Sequence, residues 1–110
     1  MAAGYFLLTK SGTQFKFALK AGNHETILGS ELYASKASAQ NGIASVHANS
    51  SIDGRYERRT SKDDKAYFVL KAANGEVIGT SEMYSSPSAA EKGIESCKAN
   101  GPKGPTRDET

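Results

Sequence analysis

Cysteine is almost missing from this 110-residue chain: Cys97 stands alone, so no disulfide forms within it. Such sparing use fits a reducing compartment. Tryptophan is absent and the two histidines, His24 and His47, stand apart, which leaves no cluster with metal-ligand spacing; neither metal nor cofactor is expected. No stretch approaches the run of about eighteen apolar residues that a membrane span needs. The Met1-Ala2-Ala3-Gly4-Tyr5 start lacks the basic and then long apolar character of a secretory signal. A cytoplasmic location with no membrane partner is therefore expected. Charge of one sign is lacking too. With 14 basic and 12 acidic residues the net charge is +2, too balanced to announce a nucleic-acid or membrane partner by itself.

What the chain does have is an internal echo. Displaced by 51 positions, residues 5–50 lie on 56–101 without a gap, and about nineteen of the forty-six pairs are identical. Lys20-Ala21 meets Lys71-Ala72, Ser30-Glu31 meets Ser81-Glu82, and Gly42-Ile43 meets Gly93-Ile94. Two repeats are too few for a solenoid, so a closed pseudo-two-fold pair is the expected assembly. Half the chain, with no disulfide or metal, is marginal alone, and each half is expected to cover the other's apolar surface.

Each unit reads as three strands and a helix. First strands fall at 5–10 and 56–61, second strands at 14–21 and 65–72, and third strands begin at Glu25 and Glu76. Ser11-Gly12-Thr13 and Lys62-Asp63-Asp64 supply the first turns. For the second turn, a three-residue loop, Ala73-Asn74-Gly75 with Gly75 left-handed, pairs Leu70 with Ile78 and keeps Phe68, Leu70 and Ile78 on one face. Gly22-Asn23-His24 is its counterpart, which puts His24 at positive φ. Ser86-Pro87 is a serine cap followed by proline at the first helical position, matched by Ser35-Lys36. The helical stripes are Ala39, Ile43, Val46 and Ala90, Ile94, Cys97. Gly42 and Gly93 beside them imply a close approach, since mid-helix glycine costs about 1 kcal/mol against alanine. Asn49 and Asn100-Gly101 are read as left-handed caps. The expected fold is α+β: tandem βββα repeats forming one mainly antiparallel six-stranded sheet with two helices on one face. The domain spans 1–101 as units 5–50 and 56–101, joined by a linker near 50–54. The segment 102–110, with two prolines and no apolar residue, is read as a disordered tail.

The blocks Phe17-Ala18-Leu19-Lys20-Ala21-Gly22-Asn23, Ser30-Glu31-Leu32-Tyr33-Ala34-Ser35-Lys36, Leu70-Lys71-Ala72-Ala73-Asn74-Gly75 and Gly93-Ile94-Glu95-Ser96 resemble the bacterial YegP-like family. The resemblance covers nearly all of the chain but the tail. It implies paired βββα units sharing one sheet, which single-unit members achieve by dimerising. It carries no catalytic residues, because the family's function is uncharacterised.

Candidate chemistry is sparse. Glu31 and Glu82, brought together by a two-fold, would form a carboxylate pair able to split its pKa values. The structural alternative is that each precedes a helix and complements its positive end. Ser30 and Ser81 have no histidine repeated beside them, and Cys97 aligns with Val46 on an inward stripe, as a core residue would. The loops at Gly22 and Gly75 join strand to strand, whereas a phosphate cradle leads into a helix. If Phe17, Leu19, Phe68 and Leu70 face the helices, the opposite face carries Lys16, Ala18, Lys20, Tyr67, Val69 and Lys71. Lys16, Lys20, Tyr67 and Lys71 are the expected contact residues. Phe6 and Leu8 extend this into an exposed patch if the first strand turns that way. A non-enzymatic binding or interaction module of unknown partner, protein or RNA, is the leading expectation; weak single-stranded RNA binding through the same face is one alternative, and an enzyme using Glu31 or Glu82 is the other. A monomer is expected, with a homodimer through part of that face as the other possibility.

Overall fold

The computed structural model describes residues 4–110. The first three residues, placed at the start of the domain and of the expected leaderless N-terminus, lie outside the described residues. The chain forms β1 (Tyr5–Ser11), β2 (Gln14–Lys20), β3 (Thr26–Gly29), α1 (Lys36–Asn49), a 3₁₀ turn (Asp53–Arg55), β4 (Tyr56–Thr60), β5 (Ala66–Lys71), β6 (Val77–Ser81), α2 (Pro87–Asn100) and β7 (Thr106–Asp108). One seven-stranded sheet runs β4-β5-β6-β3-β2-β1-β7. It is antiparallel except where β7 pairs in parallel with β1. No helix is long and apolar enough to cross a membrane among the described residues.

β7 corrects two expectations, the six-strand count and the disordered tail. The segment finds backbone partners in spite of its polar composition: Phe6 N–H donates to Pro105 C=O at 2.7 Å and Glu109 N–H to Leu8 C=O at 2.8 Å. Lys36 of α1 holds Asp108 at 2.5 Å, and Arg107 lies over the Tyr5 ring at 4.6 Å. A bare edge of β1 would leave those amide groups open to another chain, and the tail covers them.

The turns carry the registers. His24 has φ 71° and Gly75 φ 87°, closing the two three-residue loops as expected. Immediately beyond each lies a bulge, at Leu19/Lys20 and at Leu70/Lys71, so Leu70 pairs with Gly79 rather than with Ile78. Ile27 and Ile78 are buried all the same. The first turns differ from each other. Gly12-Thr13 is a two-residue loop with Gly12 at φ 62°, whereas Lys62-Asp63-Asp64 is one residue longer with Asp64 at φ 60°. That extra residue slides β4 by one position. Phe6 pairs with Leu19, but Tyr56, not Glu57, pairs with Leu70. The gapless alignment thus fails in the first strands, where Tyr56 takes the place of Phe6 and Arg58 that of Leu8.

Both helices pack on the face bearing Phe6, Leu8, Phe17, Leu19, Leu28, Phe68 and Leu70, which form one continuous core with Ile43, Val46, Ile94 and Cys97. Phe6 and Leu8 are fully buried there, which removes them from the open face. Each helix also reaches the other repeat, α1 touching β5 and β6 and α2 touching β3. Burial of Cys97 pushes its thiol up to about 11, as for a core residue. Ser35 and Ser86 cap α1 and α2, with Pro87 in the first turn of α2. The glycines fit under tyrosines. A Cβ on Gly42 would lie 2.6 Å from Tyr33 Oη, and one on Gly93 would lie 2.8 Å from Tyr84 Cζ. Tyr33 stacks on Phe17 and Tyr84 on Phe68, with interplanar angles of 14° and 11°.

The helix ends depart from the expected left-handed caps. Ser50 and Gly101 are right-handed, at φ −68° and −65°. The asparagines act through their side chains instead: Asn49 Nδ2 and Asn100 Nδ2 each donate at 2.8 Å to the carbonyl one turn back, of Ser45 and Ser96. Between the repeats, several positions 51 apart meet each other. Gly29 pairs with Thr80, Gly79 lies beneath Leu28, and Gly101 abuts Ser50.

Candidate binding face

Opposite the helices, the sheet alternation places a second set of side chains. Across its middle, Arg107, Leu7, Ala18, Gly29, Thr80, Val69 and Glu57 follow one another from β7 to β4 by register. Lys16, Thr9 and Lys71 flank this row on one side, and Lys20, Tyr5 and Thr26 on the other. All four expected contact residues lie on this face, but the structure divides them. Lys16 and Lys20 line one shallow groove of about 440 Å³, floored by Leu7, Ala18 and Gly29. The groove exists because Ala18 and Gly29 supply almost no side chain between two lysines. Lys20 Nζ donates to Thr26 Oγ1 at 2.6 Å, and neither lysine enters an ion pair among the described residues.

The β4–β6 half is closed over. Glu57 receives Lys71 Nζ at 2.8 Å and the Arg59 guanidinium, and these two hydrogen bonds, Lys71 first, hold its carboxyl below the usual range. Beneath them Val69 is only 2% exposed although it faces away from the helices. Tyr67 lies beside Arg59, whose guanidinium it helps hold charged after Glu57. This difference follows from the slipped register: Glu57 and Arg59 occupy the places that Leu7 and Thr9 hold in the first repeat. Sequence comparison at 51 residues hid this by pairing Glu57 with Phe6. Leu7, Thr9, Thr26 and Gly29 were likewise missed as groove residues, since the period-two pattern of a two-faced apolar strand leaves its orientation open.

The remaining candidates resolve into structural roles. Ser30 Oγ and Ser81 Oγ accept the Phe17 and Phe68 N–H at 2.9 Å and donate to the Glu31 and Glu82 carbonyls at 2.8 Å, extending the sheet past the ends of β3 and β6. The Glu31 and Glu82 side chains are exposed and accept no hydrogen bond among the described residues, which leaves the expected helix-start contact unmade. Glu31 lines a groove of about 270 Å³ with Asn74, Glu76 and Val77, and Glu82 is not among its walls. His24 Nδ1 shares a hydrogen bond with Tyr5 Oη at 2.8 Å, and His47 Nε2 donates to the Gly104 carbonyl at 2.8 Å.

With seven strands, two helices and two matching halves, the architecture is that of a tandem α+β repeat protein. The chain belongs to the family described as a domain of unknown function, DUF1508, which matches it twice, over residues 11–57 and 61–108. The first match runs from the last residue of β1 to the second residue of β4, and the second from just after β4 to the end of β7. UPF0339 protein YegP of Escherichia coli K12 is 55% identical over 109 residues, covering 98% of this chain and 99% of the relative. A UPF0339 protein of Bordetella pertussis is 57% identical over 108 residues, covering 98% and 97%. The solution structure of E. coli YegP, a protein of unknown function, superposes with a TM-score of 0.93 at 54% identity, over 100% of this chain and 96% of that one. That of a UPF0339 protein from Shewanella oneidensis gives 0.90 at 53%, over 96% and 91%.

Proposed function

We propose that the chain is a non-enzymatic cytoplasmic binding module, two repeats about a pseudo-two-fold through Gly29 and Thr80, whose first repeat receives an acidic segment of a partner protein. One observation carries this reading. Lys16 and Lys20 flank an apolar-floored groove with no carboxylate paired to them among the described residues, whereas the corresponding half of the second repeat is neutralised by Glu57. Four residues along a strand span about 13 Å, so a segment crossing β2 meets one amine on each side. A small apolar side chain then rests on Leu7 and Ala18. Opposed charges of this kind steer the encounter more than they add affinity. Single-stranded RNA is the second reading, favoured by tyrosines on the same face. Against it stands the Arg107 guanidinium, which already packs on the Tyr5 ring where a base would stack.

NMR titration with a hexaglutamate peptide, and separately with short single-stranded RNA of mixed sequence, tests both readings. The expected result is saturable, salt-sensitive movement of β1–β3 amides with the peptide. Lys16→Glu with Lys20→Glu abolishes it, and Lys71→Gln leaves it intact. A response to RNA alone overturns the protein-partner reading, and silence with both probes removes the face as a binding surface.

A further inference from the structure

The sheet has two edges, and they are treated differently. β7 covers β1, whereas nothing pairs with the outer side of β4 among the described residues. The outward groups of β4 follow from its neighbours. Phe68 N–H is bound to Ser81 Oγ at 2.9 Å, so the Phe68 backbone faces β6, and its partner Arg58 turns its own N–H and C=O away from β5. The same geometry in the first repeat has Leu8, opposite Phe17, accepting from Glu109 of β7. Arg58 therefore holds the free donor and acceptor that in β1 the tail satisfies. Tyr56 C=O and Thr60 N–H point the same way, while Tyr56 N–H is used by the Asp53 carbonyl.

We propose that this β4 edge pairs with β4 of a second copy, antiparallel and centred on Arg58. Charged residues on an edge usually repel another strand. Here the order is Glu57-Arg58-Arg59, and the register decides the sign. Residues that both face outward must stand opposite each other, so only centres at 57, 58 or 59 fall within the middle of the strand. A centre at 57 opposes two glutamates, and one at 59 opposes two Arg59 guanidinia. The centre at 58 sets each Glu57 against the other copy's Arg59, twice over, on the open face. Arg58 then meets its counterpart on the helix side. Each Arg58 is already clamped by Glu91, at 2.6 and 3.0 Å, and reaches Asp53 at 3.4 Å, so the facing charges are neutralised before they meet. The pairing yields about four backbone hydrogen bonds and keeps both copies' helices on one side of a continuous sheet. A contact this small is weak and transient, with half-association near about 1 mM.

Sedimentation velocity and NMR rotational correlation times, from dilute solution to about 1 mM, test the proposal. The wild-type protein is expected to approach the dimer value at the upper end. Glu57→Arg alone and Arg59→Glu alone each put like charges opposite each other and hold the protein monomeric. Mixing the two variants restores association, because every cross-copy pair is then opposite in sign. Unchanged amide spectra away from β4 show that each variant folds. A wild-type protein that stays monomeric overturns the proposal, as does association that both substitutions leave intact or a mixture that does not associate.

Discussion

Gly93→Ala isolates what the paired glycines do. In an exposed helix the substitution stabilises by about 1 kcal/mol, because alanine loses less backbone freedom on folding. Here the new methyl would stand 2.8 Å from Tyr84 Cζ and 3.0 Å from Phe68 Cε2. The Tyr84 ring cannot swing away easily, being stacked on Phe68 and anchored by its backbone bridge to Ala66. Overpacking of this kind costs about 1–3 kcal/mol. The opposing effects leave a net loss of about 1 kcal/mol, or about 5 °C in Tm for a domain of this size. The decisive measurement is a double-mutant cycle by urea unfolding, read as midpoint shifts at constant m. In a Tyr84→Ala background the methyl has room, and Gly93→Ala is expected to become stabilising. A substitution that stabilises the wild-type protein, or that has the same effect in both backgrounds, refutes the packing argument.

Two further predictions concern the junction and the tail. Ser50 Oγ is buried without a hydrogen-bond partner among the described residues, so Ser50→Ala is expected to raise stability by about 1 kcal/mol in urea unfolding; a loss would show that the hydroxyl is satisfied in solution. The Asp108 carboxyl is held down at about 2, chiefly by Lys36 and then by Thr110. Because this value lies below the unfolded one of about 3.9, its contribution is present above that pH and lost as pH falls toward 2. Hydrogen exchange should therefore show Glu109 and Phe6 amides losing protection in acid before those of β2 and β5, and Asp108→Asn should bring that loss to neutral pH. Equal protection in the variant would remove the ion pair as the tail's anchor.

The legible parts of this fold were those set by local chemistry. Serine caps, the proline after Ser86 and the left-handed His24 each follow from a few adjacent residues. What escaped was set by distant partners. Tyr5 with Tyr56 and Thr9 with Thr60 are identical at a spacing of 51, so nothing in the alignment signalled that one longer turn displaces β4 by a residue. That displacement also explains the candidate face. The lysines were identifiable by alternation along β2 and β5, but the gapless alignment set Glu57, the carboxylate beside Lys71, opposite Phe6 instead of Leu7. The tail likewise has no apolar pattern to mark it as a strand, because its order comes from the amides of β1 and from Lys36.

Where a position meets its own repeat counterpart, the two residues are never alike here: Leu28 with Gly79, Ser50 with Gly101, Gly29 with Thr80. Two identical chains have no such freedom, since any side chain chosen at such a spot must tolerate its own image. Joining the copies in one polypeptide lifts that restriction. A bulky group in one copy and a bare backbone in the other become admissible together. The same licence extends to the solvent side, where one copy is free to stay open while its twin seals itself with opposite charges.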